Sequence, residues 1–188
     1  SFHLRVRREA DRAIGPEVLR GLRELPAVRT ITPFADLTAM VGHSGSEGRH
    51  GMTLRAVPAD VGTAEPAFAA QLGLTEAPIA IGTVIIGVEA AARLGVGIGD
   101  AVTVDLIDRT APAEGGRPLA RAAPLIVAGT FASGYYEYDL GWALLSLSTA
   151  ELITSGRLPL EYGIKLVDRF REQPARTAVE VLIAAEHP

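Results

Sequence analysis

Residues 84–104, VIIGVEAAARLGVGIGDAVTV, decide the predicted fold. Apolar residues at helical spacing predict a short helix over 88–94, and the alternation over 101–106 predicts a strand. The three glycines of 95–99 lie between them. In a dinucleotide-binding loop a strand leads through the glycines into a helix, whereas here the order is reversed. Gly95 is therefore predicted to end a helix in the left-handed conformation rather than to cradle a phosphate.

The N-terminal part of the chain predicts a β-α-β unit. Apolar and polar residues alternate from Phe2 to Arg7, which is typical of a half-buried strand. Gly15-Pro16 begins a helix, because proline is favoured at the first helical position, and Pro26 ends it. Residues 28–41 predict a second, longer strand, in which Pro33 marks an edge or a bulge.

The middle of the chain predicts short strands and helices joined by loops. Residues 42–51 are rich in glycine and serine and predict a mobile loop before a strand over 52–57. A short helix is expected over 67–72. The segment 110–121, rich in proline, glycine and alanine, predicts a hairpin loop whose returning strand covers 125–131.

The C-terminal part predicts a second β-α-β unit followed by a helix. Residues 135–147 are aromatic and aliphatic and indicate an extended segment. Ser148 and Glu151 then form a capping-box pattern at the start of a helix. Alternation over 162–166 predicts a strand, and 175–182 predicts an amphipathic helix. The chain is therefore predicted to be an α+β protein with a β-rich module between two mixed parts.

Composition excludes several classes of function. The 188 residues carry a formal net charge of −4 without a basic patch, which argues against a nucleic-acid partner. The chain has no cysteine, so disulfides, cysteine-ligated zinc and a cysteine nucleophile are excluded. The uncharged stretch 122–136 is shorter than the roughly 20 residues of a membrane-spanning helix. Because the chain begins with Ser1 rather than methionine, we expect it to be part of a longer protein.

The polar residues with catalytic or metal-binding chemistry do not form a recognisable motif. The histidines are His3, His43, His50 and His187, and only two of them share a segment, the loop over 42–51. Ser44 and Ser46 lie near His43 and Asp36, but neither serine is in the Gly-x-Ser-x-Gly setting of a nucleophile elbow. No catalytic residue, metal ligand or cofactor site is predicted, and we expect a protein that is not an enzyme.

One segment predicts an interaction surface, and it comprises Tyr135, Tyr136, Glu137, Tyr138 and Asp139. Tyrosine combines a large apolar ring with a polar tip and is enriched at protein interfaces. On a strand the two carboxylates would share one face, as an acid–base pair requires, although no third polar group of suitable type is evident. The alternative is a strand that packs its tyrosines on the core and keeps its acids in water.

Three segments together resemble the extracytoplasmic domain of ABC-transporter permeases in the lipoprotein-releasing and macrolide-exporter superfamily. The first is the run 84–104, and the second is 126–139, IVAGTFASGYYEYD, which resembles the lipoprotein-releasing branch in particular. The third comprises the helix start at 148–152, the strand GIKLVD over 163–168 and the closing helix. The loops 42–51 and 110–121 depart from the pattern, so no partner-contacting hairpin is carried over.

The resemblance implies a domain inserted between two membrane helices of a permease in the bacterial inner membrane, on its periplasmic side. Residues 1–42 and 134–188 would form a discontinuous porter-like βαβ…βαβ subdomain, and 43–133 an inserted β-rich subdomain. The implied partners are a cytoplasmic ABC ATPase, reached through the membrane part, a second permease subunit or homodimer partner, and a periplasmic lipoprotein carrier or adaptor. The implied function is lipoprotein release; a macrolide or peptide exporter and a cell-division permease that regulates a wall hydrolase are alternatives.

Overall fold

The computed structural model of the chain describes residues 3–7, 14–45, 47–74, 77–107, 120–168 and 172–185. The elements are β1 (Leu4–Arg7), α1 (Pro16–Glu24), β2 (Val28–His43), β3 (His50–Val57), α2 (Val61–Ala64), α3 (Pro66–Leu72), β4 (Thr83–Gly87), α4 (Val88–Leu94), β5 (Ala101–Ile107), β6 (Ala120–Phe131), α5 (Tyr136–Gly141), β7 (Trp142–Ser146), α6 (Leu147–Thr154), β8 (Glu161–Leu166) and α7 (Glu172–Ala185). The chain divides into two compact units, Ser1–Phe34 with Pro159–Pro188, and Ala35–Leu158.

The first unit is a three-stranded sheet with two helices. Its strand order is β1-β8-β2, and β8 runs antiparallel to both neighbours. Strands β1 and β2 are therefore parallel and joined through α1, with β8 between them, which is a split β-α-β arrangement. The core of this unit is formed by apolar side chains of the sheet and both helices, namely Leu4, Val6, Val18, Leu22, Ile164, Leu166 and Val179.

Several predictions for this unit are confirmed. Strand β1 buries Leu4 and Val6 and exposes Arg5, as the alternation predicts. Helix α1 has Pro16 in its first turn and buries Val18 and Leu22 on one stripe. The strand over 161–166 and the C-terminal helix are also present. Phe2 and His187 lie outside the described residues.

The second unit is built on a closed barrel. Its described strands pair in the order β2-β3-β7-β4-β6-β5, and β5 pairs again with β2. The pairs β3–β7 and β4–β6 are parallel, and the other pairs are antiparallel. Because the pairing of β5 with β2 closes the ring of strands, the paired segments have no free sheet edge. Alternate residues point inward, which is why Val102, Val104 and Leu106 of β5 are buried while their neighbours are half-exposed.

The barrel core explains the apolar patterns of the middle segment. It contains apolar residues from every barrel strand, packed against Ala90 and Ala91 of α4 and Ala150 of α6. The glycine turn after α4 is as predicted: Gly95 ends the helix with φ 65°, and the Val96 N–H donates to the Ala91 carbonyl at 3.0 Å. Left-handed glycine at this position satisfies carbonyls that the helix leaves open.

The predicted loop over 42–51 is shorter in the structure, and this prediction was wrong at both ends. Strand β2 continues to His43 and β3 begins at His50, with Val41 opposite His50 in an antiparallel hairpin. Gly42 is needed within the strand, because a Cβ there would overlap the Arg49 side chain and the Gly48 carbonyl. The glycines of this segment therefore serve close packing in a hairpin as well as a turn.

The predicted capping residue of α6 was also wrong. Ser146, not Ser148, is the N-cap, and its Oγ accepts a hydrogen bond from the Thr149 N–H at 3.2 Å. Ser146 is buried at the end of β7, whereas Ser148 is exposed. The helix begins two residues earlier than expected because the barrel strand ends at a residue that can cap it.

The compact units have different ends from the predicted division into 1–42 with 134–188, and 43–133. Strand β2 supplies its later residues to the barrel, and β7 and α6 also belong to the second unit. The predicted division states that a β-rich subdomain is inserted into a porter-like subdomain, and it stays a prediction. Most of the predicted hairpin loop over 110–121 lies outside the described residues.

Candidate functional site

The predicted interaction segment forms a helix, so the expected extended structure over 135–147 was wrong for its first part. Residues Tyr136–Gly141 make up α5, and only Trp142–Ser146 are a strand. The Ser133 N–H donates to Asp139 Oδ1 at 2.7 Å, and the Tyr135 N–H donates to Ser133 Oγ at 3.1 Å. These local bonds satisfy backbone donors at the helix start and override the strand propensity of tyrosine.

The helix separates the two carboxylates that sequence reasoning placed on one face. Positions two apart on a helix point about 200° from one another, because each residue turns the helix by about 100°. Asp139 is 5% exposed and accepts the Ser133 N–H, whereas Glu137 is exposed. The two groups do not converge on a pocket, so the geometry of an acid–base pair is absent.

Helix α5 is held against the barrel at two further points. Gly87, at the end of β4, lies so close to α5 that a Cβ there would overlap the backbone of Asp139. On β3, His50 Nε2 lies 2.9 Å from the Leu140 carbonyl oxygen and donates to it. A six-residue helix is not stable alone, and these contacts together with the Ser133–Asp139 bond fix its position on the second unit.

Helix α5 and the residue before it display three tyrosine rings. We call Tyr135, Tyr136 and Tyr138 the tyrosine ridge; they are 64%, 62% and 52% exposed, respectively. The Tyr135 and Tyr138 rings meet edge to face with centroids 6.4 Å apart. Neighbouring exposed aromatic rings are typical of binding surfaces, because aromatic side chains are enriched at interfaces.

The ridge is supported from below by two residues that sequence reasoning missed. Trp142 stacks on Tyr138 with centroids 5.4 Å apart, and the Arg55 guanidinium lies 4.5 Å from the centroid of the Trp142 ring. Arg55 also donates two hydrogen bonds to Asp36, at 2.8 and 2.7 Å. The series of contacts therefore runs from the barrel hairpin to the exposed tyrosines.

A sequence signal for the Arg55–Asp36 pair exists. Asp36 stands nine residues before Gly45, and Arg55 stands nine residues after residue 46. An antiparallel hairpin centred between 45 and 46 places these two residues directly opposite one another, as the observed register does. Opposite charges at facing positions of a hairpin stabilise it. The glycine- and serine-rich composition of 42–51 conceals this signal, because it predicts a long loop rather than a hairpin.

Three of the other candidate residues from the sequence, His3, Ser44 and Asp36, have structural contacts. The Leu166 N–H donates to His3 Nδ1 at 2.9 Å, and Ser44 Oγ lies 3.2 Å from Thr103 Oγ1. Asp36 pairs with Arg55, so it is not directed at His43. Ser46 lies outside the described residues. Within the described ranges, no three histidine, aspartate or glutamate side chains are grouped as metal ligands.

A concave surface lies between β6 and α6. Its volume is about 540 Å³, and its lining consists of Gly82, Ala122, Ala123, Pro124, Leu125, Thr149, Leu152, Ile153 and Ser155. None of these lining residues is titratable, so this groove offers no general acid or base. None of the described helices is long and apolar enough to span a membrane.

Solved structures of similar fold exist, although no protein-family model and no curated protein matches the chain. The periplasmic region of MacB from Actinobacillus actinomycetemcomitans is similar over 95% of this chain and 76% of that one, with a TM-score of 0.55 and 12% identity. The extracellular domain of the noncanonic ABC-type transporter YknZ from Gram-positive bacteria is similar over 93% and 84%, with a TM-score of 0.56 and 12% identity. The chain thus has the fold of these extracytoplasmic transporter domains, and the predicted α+β class is confirmed.

Proposed function

We propose that this chain is the extracytoplasmic domain of an ABC-transporter permease and that it acts by binding a partner rather than by catalysis. The observation that carries the proposal is the similarity of nearly the whole chain to the MacB and YknZ domains. Both units of the chain lie within the matched part, because the matches cover 95% and 93% of it. In this proposal a cytoplasmic ABC ATPase supplies the energy, and the permease works with a second permease subunit or a second copy of itself.

The arrangement of the first unit suits such a role. Strand β1 and helix α7, the first and last described elements, belong to the same compact unit and share one core through Leu4 and Val179. In the proposed permease, membrane helices before β1 and after α7 would both attach to this unit. Motion of those helices would reach the barrel through β2 and the chain before β8, because β2 is shared by the two units.

For the cargo, we propose release of lipoproteins from the inner membrane to a periplasmic carrier. Support comes from the segment 126–139, whose sequence resembles the lipoprotein-releasing branch. The second candidate is an exporter of macrolides or peptides with a periplasmic adaptor, and the similarity to MacB favours that candidate equally. A cell-division permease that regulates a wall hydrolase is the third possibility.

We propose the tyrosine ridge as the surface that contacts the carrier or adaptor. Its support is the combination of exposed rings and a fixed backbone: three tyrosines that are at least half exposed stand on a helix held by Gly87, His50 and Ser133. A rigid aromatic surface loses little conformational entropy on binding, so its contact area translates efficiently into affinity.

Calorimetry with the purified chain tests the cargo proposal. The titrants are the periplasmic lipoprotein carrier and, separately, the periplasmic adaptor of a macrolide exporter from the same cell. Micromolar binding of the carrier, weakened at least about tenfold by Tyr136→Ala, is the expected result. Leu152→Ala is the matched control, because Leu152 is 66% exposed on α6 and outside the ridge. Binding of the adaptor alone would overturn lipoprotein release and favour the exporter.

A further inference from the structure

The outer surface of the tyrosine ridge carries negative charge that the described part of the chain leaves uncompensated. Glu137, which lies between Tyr136 and Tyr138 in the sequence of α5, is exposed and forms no hydrogen bond or ion pair with any described residue. Glu89, in the first turn of α4, is exposed as well and is likewise unpaired within the described ranges. Gly87 is the N-cap of α4 and lies against the backbone of Asp139, so the first turn of α4 lies beside α5.

Beneath the ridge, the contacts of Trp142 show which ligand suits an aromatic ring beside a carboxylate. There the Arg55 guanidinium is held by a carboxylate, Asp36, and by the ring of Trp142. A guanidinium suits this pair of groups because it binds a carboxylate through a planar fork and stacks on an aromatic face. The tyrosine ridge offers the same two kinds of group, aromatic rings and the Glu137 carboxylate. No described cationic side chain pairs with that carboxylate.

We propose that the tyrosine ridge binds an arginine-bearing segment of the protein partner, with the guanidinium on the tyrosine rings and paired with Glu137. The proposal deepens the role suggested above for the ridge and rests on it. An acidic partner segment is disfavoured, since α5 contains Glu137 and Asp139 and no basic residue. Of the residues in α4 and α5, only Arg93, in the last turn of α4, is basic.

Glu137 fixes the preferred geometry of this contact. A cation–π contact alone accepts lysine or arginine over a ring. A carboxylate beside the ring favours arginine, because a guanidinium can stack on the ring and donate two parallel hydrogen bonds to the carboxylate at the same time. Because Gly87 and His50 contact the backbone of α5, the Cα positions that carry the carboxylate and the rings are set before the partner arrives. The surface therefore selects a planar cation rather than positive charge in general.

The test uses two peptides that differ only in charge. The ¹⁵N-labelled chain is titrated with the peptide Ac-Ser-Arg-Leu-Arg-Ser-NH₂ and with its analogue in which citrulline, which is neutral and of nearly the same shape, replaces arginine. The expected result is that amide shifts are confined to 134–142 and the first turn of α4, and that the citrulline peptide binds at least about fivefold more weakly.

Three variants make the result specific. Glu137→Gln and Tyr136→Leu are each expected to weaken the arginine peptide about fivefold, and Glu151→Gln, an exposed glutamate on α6, is expected to leave it unchanged. Unchanged amide positions outside α5 would show that each variant is folded. Equal binding of the two peptides, or shifts centred away from α5, would overturn the inference. Either result would leave the permease proposal intact, because that proposal is tested by membrane topology instead.

Discussion

The guanidinium of Arg55 lies 4.5 Å from the centroid of the Trp142 ring, and this contact connects the β2–β3 hairpin to the first residue of β7. Trp142 stacks in turn on Tyr138, so the support of the exposed ridge depends on residues far apart in sequence. The ridge is therefore a product of the barrel topology, and its properties can be tested through the residues beneath it.

The first prediction concerns the Arg55–Asp36 pair. The side chains are 15% and 28% exposed and joined by two hydrogen bonds, so the pair is screened less than a surface ion pair. A double-mutant cycle with Arg55→Leu and Asp36→Asn, measured by urea unfolding, should give a coupling energy of about 1–2 kcal/mol. A coupling energy below about 0.3 kcal/mol would contradict a supporting role for this pair.

The second prediction concerns Gly87, where β4 meets α5. A methyl group at this position would overlap the backbone of Asp139, which cannot move without displacing the helix. Gly87→Ala should lower the free energy of unfolding by about 2–4 kcal/mol and weaken partner binding by moving the tyrosines. The matched control is Gly97→Ala, because the nearest atom to a Cβ there is 3.9 Å away. Equal effects of the two substitutions would show that α5 is not fixed at Gly87.

A third prediction distinguishes the two serines at the start of α6. Ser146 Oγ accepts from the Thr149 N–H and is buried, so Ser146→Ala should cost about 1–2 kcal/mol in thermal or urea unfolding. Ser148→Ala, which the sequence pattern alone would have chosen, should change stability by less than about 0.5 kcal/mol, since Ser148 is exposed. A larger loss for Ser148→Ala would restore the capping box predicted from the sequence.

The fourth prediction concerns His50, which donates to the Leu140 carbonyl at 2.9 Å. His50→Leu removes the donor and should destabilise the chain by about 1 kcal/mol, with faster hydrogen exchange in α5. His43→Leu is the control, because His43 is also half-buried at the hairpin but forms no described hydrogen bond to α5. Unchanged exchange in α5 after His50→Leu would mean that this bond does not hold the helix.

Local patterns were sufficient to predict most of the fold. Alternation identified β1, β5 and β8, and proline and glycine marked the ends of α1 and α4. Closure of the barrel was not visible, because pairing of Val41 with Val104 joins residues more than 60 positions apart and leaves no local pattern. The tyrosine segment was identified by composition, but its helical form was not, since it depends on Asp139 reaching back to Ser133.

The same reasoning explains which parts of the candidate site were missed. Trp142 was within the expected extended segment, yet its role depends on Arg55, which is brought to it by the parallel pairing of β3 with β7. Gly87 directly precedes the predicted helix over 88–94, and only the packing of α5 shows that it is a contact point. To predict side-chain contacts across a barrel, one must therefore know the register of its strands, and sequence patterning alone does not give that register.

Thiol labelling of the full-length product of the gene in intact spheroplasts tests the permease proposal most directly. The chain contains no cysteine, so Leu152→Cys, in a product otherwise free of cysteine, places one exposed thiol on the second unit. We predict that a membrane-impermeant maleimide labels this thiol without permeabilisation, as an extracytoplasmic domain requires. Labelling only after the membrane is permeabilised would place the domain in the cytoplasm and contradict the proposed function.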